Sequence, residues 1–125
     1  MNDEGRKKFT SIENIENAKR PYIIGGNWKM AVNSRSAAGT LLTQIAESLS
    51  QLEIKDVQVV IAPSFPYLET VRRALDDLVS PNVLPEGRIL LAAQDMSFDE
   101  PGAHTGEVSY ADLKEFGVSY VILGH

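Results

Sequence analysis

Cysteine is missing from all 125 residues, so no disulfide, thiolate nucleophile or cysteine-held zinc enters the chemistry. Histidine is scarce: His104 and His125 are the only two, too few for a histidine-rich metal centre. Bases are outnumbered by acids, 12 to 17, for a net charge of -5, and no Lys/Arg stripe forms. Nucleic acid is thereby excluded as an expected partner. No apolar run approaches the roughly 20 residues a membrane span needs. The N-terminus lacks the apolar core of a secretory signal, and Asp3, Glu4, Glu13 and Glu16 argue against a mitochondrial targeting helix. The resulting expectation is a cytoplasmic protein. What is present, 43% hydrophobic and 23% charged residues, suits one ordinary globular domain with its own core.

Residues 1–20 are polar, with Phe9, Ile12, Ile15 and Ala18 as their only sizeable apolar surface. Ile12 and Ile15 can share one face of a short helix, but such a helix does not persist in water without docking. The segment reads as a mobile polar extension, closed by Pro21. From there the period of hydrophobicity alternates. Tyr22 to Gly26 is a strand. Asn33 to Ser36 offer helix-start chemistry, and Ala38, Leu41, Leu42, Ile45, Ala46, Leu49 and Leu52 follow at three-and-four spacing. Val57 to Ala62 is β-branched and nearly all apolar, as in a strand buried on both faces of a parallel sheet. Phe65, Leu68, Val71, Leu75 and Leu78 mark a second helix, and Ile89 to Ala93 a third strand. A long, turn-rich connection from Gln94 to Val108 is of the kind that carries function or an interface. Ser109 caps a short helix with Leu113 and Phe116 inward and Gly117 at its end. Val118 to Leu123 is the fourth strand. The order β-α-β-α-β-α-β predicts a parallel sheet with helices outside.

In such a sheet all strand C-termini lie on one edge, which gathers Asn27, Lys29, Gln94 and His125. The first of these strand ends is unusual. Gly25 and Gly26, without Cβ atoms, let the backbone pass close to a neighbour or a ligand. If strand geometry persists, Asn27 and Lys29 project to one face, where an amide and a cation suit an oxyanion or a phosphate. The rival reading is a loosened strand end with a solvated lysine. Likewise His125 can be an incidental residue, His104 a loop hydrogen-bonder, and Gln94 a cap for backbone groups.

Four stretches, in order, resemble the triosephosphate isomerases: Tyr22-Ile23-Ile24-Gly25-Gly26-Asn27-Trp28-Lys29-Met30, Ile61-Ala62-Pro63, Gly102-Ala103-His104-Thr105-Gly106-Glu107-Val108-Ser109, and Tyr120-Val121-Ile122-Leu123-Gly124-His125. The resemblance covers residues 21–125 and implies the N-terminal half of a parallel (β/α)8 TIM barrel, about its first four strands. It implies interconversion of dihydroxyacetone phosphate and glyceraldehyde 3-phosphate through an enediolate, with no cofactor and no metal. Asn27, Trp28 and Lys29 match the substrate-binding segment, Lys29 supplying positive charge to the phosphate and the enediolate. His125 matches the electrophile that polarises the substrate carbonyl. Thr105 matches a residue that reaches into the partner subunit's site region, so a homodimer is implied, supported by Gln94 and Glu107.

The departure from that family is as large as the resemblance. The general-base glutamate, the closing loop and the glycine-rich phosphate site belong to the half-barrel these residues do not include, and neither Glu107 nor Glu115 matches the base. Loss of a general base costs orders of magnitude where a C–H proton must be removed. The expectation is that these 125 residues alone are inactive, need a C-terminal half-barrel, and otherwise associate, loosen or aggregate, because two sheet edges and an apolar inner face are uncovered. Two other functions compete: a non-catalytic half-barrel serving dimerisation or phosphate binding, and a small doubly wound nucleotide-binding domain. Against the second, no G-x-G-x-x-G or Walker pattern follows the first strand.

Overall fold

A computed structural model of the chain describes residues 20–125, so all of the proposed mobile extension except Arg20 lies outside the described residues. Four strands, β1 (Tyr22–Asn27), β2 (Val57–Ala62), β3 (Ile89–Ala93) and β4 (Val118–Val121), form one sheet in the order β1-β2-β3-β4. Every pairing is parallel. Helices α1 (Arg35–Ser50), α2 (Leu68–Leu78) and α3 (Tyr110–Glu115) make the crossovers. This is the wall of a partial (β/α)8 barrel, each strand pairing with its neighbour in sequence.

Local chemistry sets the elements. Ser34 caps α1 from an extended backbone, its hydroxyl accepting from the Ala37 N–H at 3.0 Å. Ala38, Leu42 and Ala46 recur every four residues and are fully buried. The two alanines let α1 pack closely against α2, with Leu42 filling the space between them. In α2 the same rule buries Leu68, Val71 and Leu75. Its outer face carries the Arg73–Glu69 pair at 2.7 Å, an exposed contact contributing only a few tenths of a kcal/mol. Pro66 turns the first residues of the predicted second helix into a 3-10 segment, Phe65–Tyr67.

The two faces of the sheet are covered unequally. Toward the helices, Ile61, Ile89, Leu91 and Ala93 join Leu42, Val71, Leu75, Leu84 and Leu113 in one buried cluster. Each large aliphatic there contributes about 1.5–3 kcal/mol through burial. On the opposite face only Val60, Ala62 and Ala92 are buried, backed by Leu90 and Ile122. β1 and β4 are the outermost strands, and Tyr22, Ile23 and Ile24 are all exposed. A parallel sheet is stable when both faces and edges are covered, so the described residues leave the barrel side of the wall open.

Three expectations are corrected. Strand geometry does not persist through Lys29: β1 ends at Asn27, and Lys29 sits in a turn at φ 51. β4 stops at Val121, because Val121 pairs with Ala93, the last residue of β3, and the ladder runs out there. Phe116 is exposed rather than inward. It caps the six-residue α3 with ψ of 3, which turns it off the face of buried Leu113 before Gly117 reverses the chain at φ 69.

Candidate active site

Asn27, Lys29, Met30, Gln94, Asp95, Gly124 and His125 line one open pocket of about 420 Å³. Three strand ends supply it: β1 ends at Asn27, β3 one residue before Gln94, and β4 shortly before His125. Parallel topology gathers Asn27, Lys29, Gln94 and His125 on this edge, and the structure brings all four together.

Lys29 arrives by a different route from the one expected. A non-glycine residue in the left-handed region costs about 1–2 kcal/mol and persists only where its surroundings hold it. Two amide side chains do so. The Lys29 N–H donates to Asn27 Oδ1 at 2.8 Å, and Gln94 Nε2 donates to the Lys29 carbonyl at 2.8 Å. Gln94 Nε2 also donates to the Ala62 carbonyl at 2.9 Å, which accepts the Trp28 N–H at 3.0 Å as well. The Lys29 peptide is thus tied on both sides, and through Ala62 to the end of β2. Gln94 does what strand-end amides commonly do, but the carbonyl it holds belongs to the strained lysine.

The ammonium of Lys29 and the imidazole of His125 have no hydrogen-bond or ion-pair partner among the described residues, and both side chains are exposed. A cation and an imidazole facing a shared open space, on a rigid backbone, can hold an anionic oxygen and polarise a carbonyl. Gly124, at φ 70, makes the bend that presents His125, a conformation a side-chain-bearing residue adopts at a cost. Asp95 is the one carboxylate among the lining residues. Met30, Asp95 and Gly124 complete the lining; each is the immediate sequence neighbour of Lys29, Gln94 or His125, which is the signal that marks them.

Trp28 lies elsewhere. Its half-buried indole packs against the cluster between sheet and helices and does not line the pocket. Its neighbours in sequence turn to the pocket while it anchors the segment from behind. Thr105 and Glu107 are also apart from the pocket, on the arm between β3 and α3. That arm is internally tied: Ser97 N–H donates to the Val108 carbonyl at 2.8 Å, and Glu107 N–H to the His104 carbonyl at 3.1 Å. Tyr110 Oη donates to Glu100 at 3.0 Å, and the adjoining carboxylate raises the Tyr110 pKa, mainly through that hydrogen bond. Met96 packs inward, whereas Phe98, Thr105 and Glu107 are exposed. His104 lies 3.8 Å from an Asp99 oxygen, a loop contact as the sequence suggested. No cluster of three His, Cys, Asp or Glu able to hold a metal occurs among the described residues.

The family model of triosephosphate isomerase matches residues 22–125, which is most of the chain. The chain belongs to the triosephosphate isomerase family. It is 41% identical over 107 residues to the triosephosphate isomerase of Carboxydothermus hydrogenoformans, covering 86% of this chain and 38% of that protein. The enzymes of Thermoanaerobacter pseudethanolicus, at 39% over 107 residues, and Treponema denticola, at 42% over 106, are similar to it to the same degree. They are covered over 38% and 37% of their lengths. The chain therefore spans well under half of the curated triosephosphate isomerases it matches. No helix among its described residues is long and apolar enough to cross a membrane.

Proposed function

We propose that this chain supplies the first half-barrel of a cytoplasmic triosephosphate isomerase, acting in glycolysis and gluconeogenesis. The reaction interconverts dihydroxyacetone phosphate and glyceraldehyde 3-phosphate through an enediolate. Lys29 neutralises the phosphate and the negative charge that grows on the substrate oxygens, and Asn27 orients that segment. His125 donates to the oxygen that becomes the enediolate. Trp28 serves the site by packing behind it. The observation that carries this reading is the convergence of Asn27, the strained Lys29 and His125 on one pocket in a chain of this family.

The chemistry also needs a base to take the proton from carbon. Asp95 does not match the family's base, so the 125 residues alone are inactive and require a second half-barrel against β1 and β4. The exposed arm with Thr105 and Glu107 contacts a second subunit in the completed homodimer, and Gln94 supports it by fixing the site beneath. An isomerase assay of the purified 125-residue polypeptide tests the first point: no turnover above the uncatalysed rate is expected, and near-normal turnover overturns it.

A non-catalytic role in phosphate binding or dimerisation is the second reading, favoured by the open wall and by a Lys29 ammonium that has no partner among the described residues. It predicts that adding a second half-barrel restores no isomerase activity.

A further inference from the structure

At the opposite end of the sheet, where the strands begin, lies a larger cleft of about 540 Å³. One wall comes from the α1–β2 connection and the other from the α2–β3 connection. Leu52, Ile54 and Val83, from those connections, are 50%, 47% and 44% exposed, while the lining residue Leu84 is buried in the core cluster. The apolar lining thus runs from the surface down to the packed layer. The second wall is a closed turn. Leu84 N–H donates to the Ser80 carbonyl at 3.1 Å, Ser80 N–H to the Leu84 carbonyl at 3.0 Å, and Val83 N–H to the Ser80 hydroxyl at 3.2 Å. Arg88 joins the two walls, its guanidinium donating to the Lys55 carbonyl at 3.4 Å. Two cationic residues are therefore neighbours on the cleft, and Glu86 is the one acid among its lining residues. In a chain of 17 acids and 12 bases, that is a local reversal of charge.

We propose that this cleft binds a small free carboxylate with an unbranched aliphatic tail, its head on Lys55 and Arg88 and its tail against Leu52, Ile54 and Val83. The volume falls within the range of small-ligand sites, about 300–1,000 Å³, which are mostly apolar with a few polar groups that fix orientation. Half-exposed aliphatics on both walls favour an occupant that removes them from water. A small inorganic anion would leave those walls wet, and a neutral hydrocarbon would leave the cations unused. The Arg88 guanidinium offers a planar fork that matches a carboxylate, and the Lys55 ammonium adds a point charge. An amphipathic anion answers both features at once. The tethered Arg88 and the closed 80–84 turn also reduce the ordering that binding must impose. The inference does not rest on the isomerase reading, since it concerns the other end of the sheet from the Lys29 pocket.

The absence of cysteine provides the test, because a single introduced thiol reports on one wall at a time. Leu52→Cys and Val83→Cys are made separately in the full chain, both at half-exposed positions, and Met30→Cys marks the exposed other edge. Each thiol is alkylated with iodoacetamide, with and without monomeric octanoate. Octanoate is expected to slow alkylation about fivefold at both walls and to leave Met30→Cys unchanged. Unslowed alkylation at either wall, or equal slowing at Met30→Cys, overturns the proposal. Butanoate at the same concentration is expected to protect about fivefold less, since its tail buries fewer methylenes. Octanol is expected to protect about tenfold less, since it brings no charge to Lys55 and Arg88. In the Val83→Cys chain, adding Lys55→Gln and Arg88→Gln is expected to raise the octanoate concentration needed about tenfold. Protection by octanol equal to that by octanoate, or indifference to the two cations, overturns the carboxylate head. Equal protection by butanoate overturns the aliphatic tail, and with it the proposal.

Discussion

At the C-terminal edge of the sheet, two amide side chains hold a lysine at φ 51 around a pocket open to water. Between the sheet and its helices, Leu42, Ile61 and Leu91 are packed with essentially no exposure and no strained backbone. One region spends stability to fix charged groups; the other supplies stability and touches no substrate. The pocket edge is therefore expected to be sensitive to the identity of atoms, whereas the packed layer is sensitive to their volume. Substitutions on either side should separate activity from stability, and they sharpen or break the contrast.

The largest expected effect is on the edge. In a completed barrel, Lys29→Ala lowers turnover about 10³-fold by removing the charge that meets the developing oxyanion. Its unfolding midpoint in urea stays within that of a surface substitution. A comparable loss of stability would show that Lys29 is structural, and the contrast would fail. The mirror experiment is Leu42→Ala in the packed layer, expected to cost about 3 kcal/mol of unfolding free energy. Urea unfolding measures it, and the kcat of the molecules that remain folded should be unchanged.

Gln94 tests the link between the two regions. Gln94→Ala leaves the Lys29 carbonyl without its side-chain donor and the Ala62 carbonyl with the Trp28 N–H alone, and is expected to cost about 1–2 kcal/mol in urea unfolding. Gln94→Glu should be worse than Ala, because a carboxylate sets further acceptors against both carbonyls. An ordering of Glu above Ala in stability contradicts the clamp.

The smallest effect lies at α3. Ser109 and Asp112 form a reciprocal cap, and Ser109→Ala is expected to cost about 1 kcal/mol. The Ser109 hydroxyl, and then the Ser109 backbone N–H, hold the Asp112 carboxyl below its ordinary value. A depressed folded pKa means the cap's contribution is fully present above the ordinary carboxylate range, about pH 4, and is lost as pH falls through the lower folded value. The protection of α3 amides, taken relative to their intrinsic exchange rate at each pH, should fall across that interval and stay constant between about pH 5 and 8.

The strands and helices were legible because their signals are local. The Ala38–Leu42–Ala46 spacing and the β-branched Val57 to Ala62 run each name one period only. The gathering of Asn27, Lys29, Gln94 and His125 followed from parallel topology alone. The turn at Lys29 was not legible. Lysine carries no preference for a positive φ, and the clamp that enforces it comes from Gln94, 65 positions away. Trp28 was grouped with Asn27 and Lys29 by the resemblance and not by periodicity, and its indole packs against the cluster behind the strand. Phe116 followed Leu113 at helical spacing, but the helix had already stopped.

The central claim is that the Asn27–Lys29–His125 edge is half of an isomerase site. Its most direct test mixes this chain with a separately produced polypeptide carrying the remaining barrel of the Carboxydothermus hydrogenoformans relative. Triose phosphate interconversion is then measured, with the wild-type chain and with Lys29→Ala. The account predicts turnover that neither polypeptide shows alone and that the lysine substitution lowers about 10³-fold. A folded, stable complex without turnover, or turnover indifferent to Lys29, would contradict it.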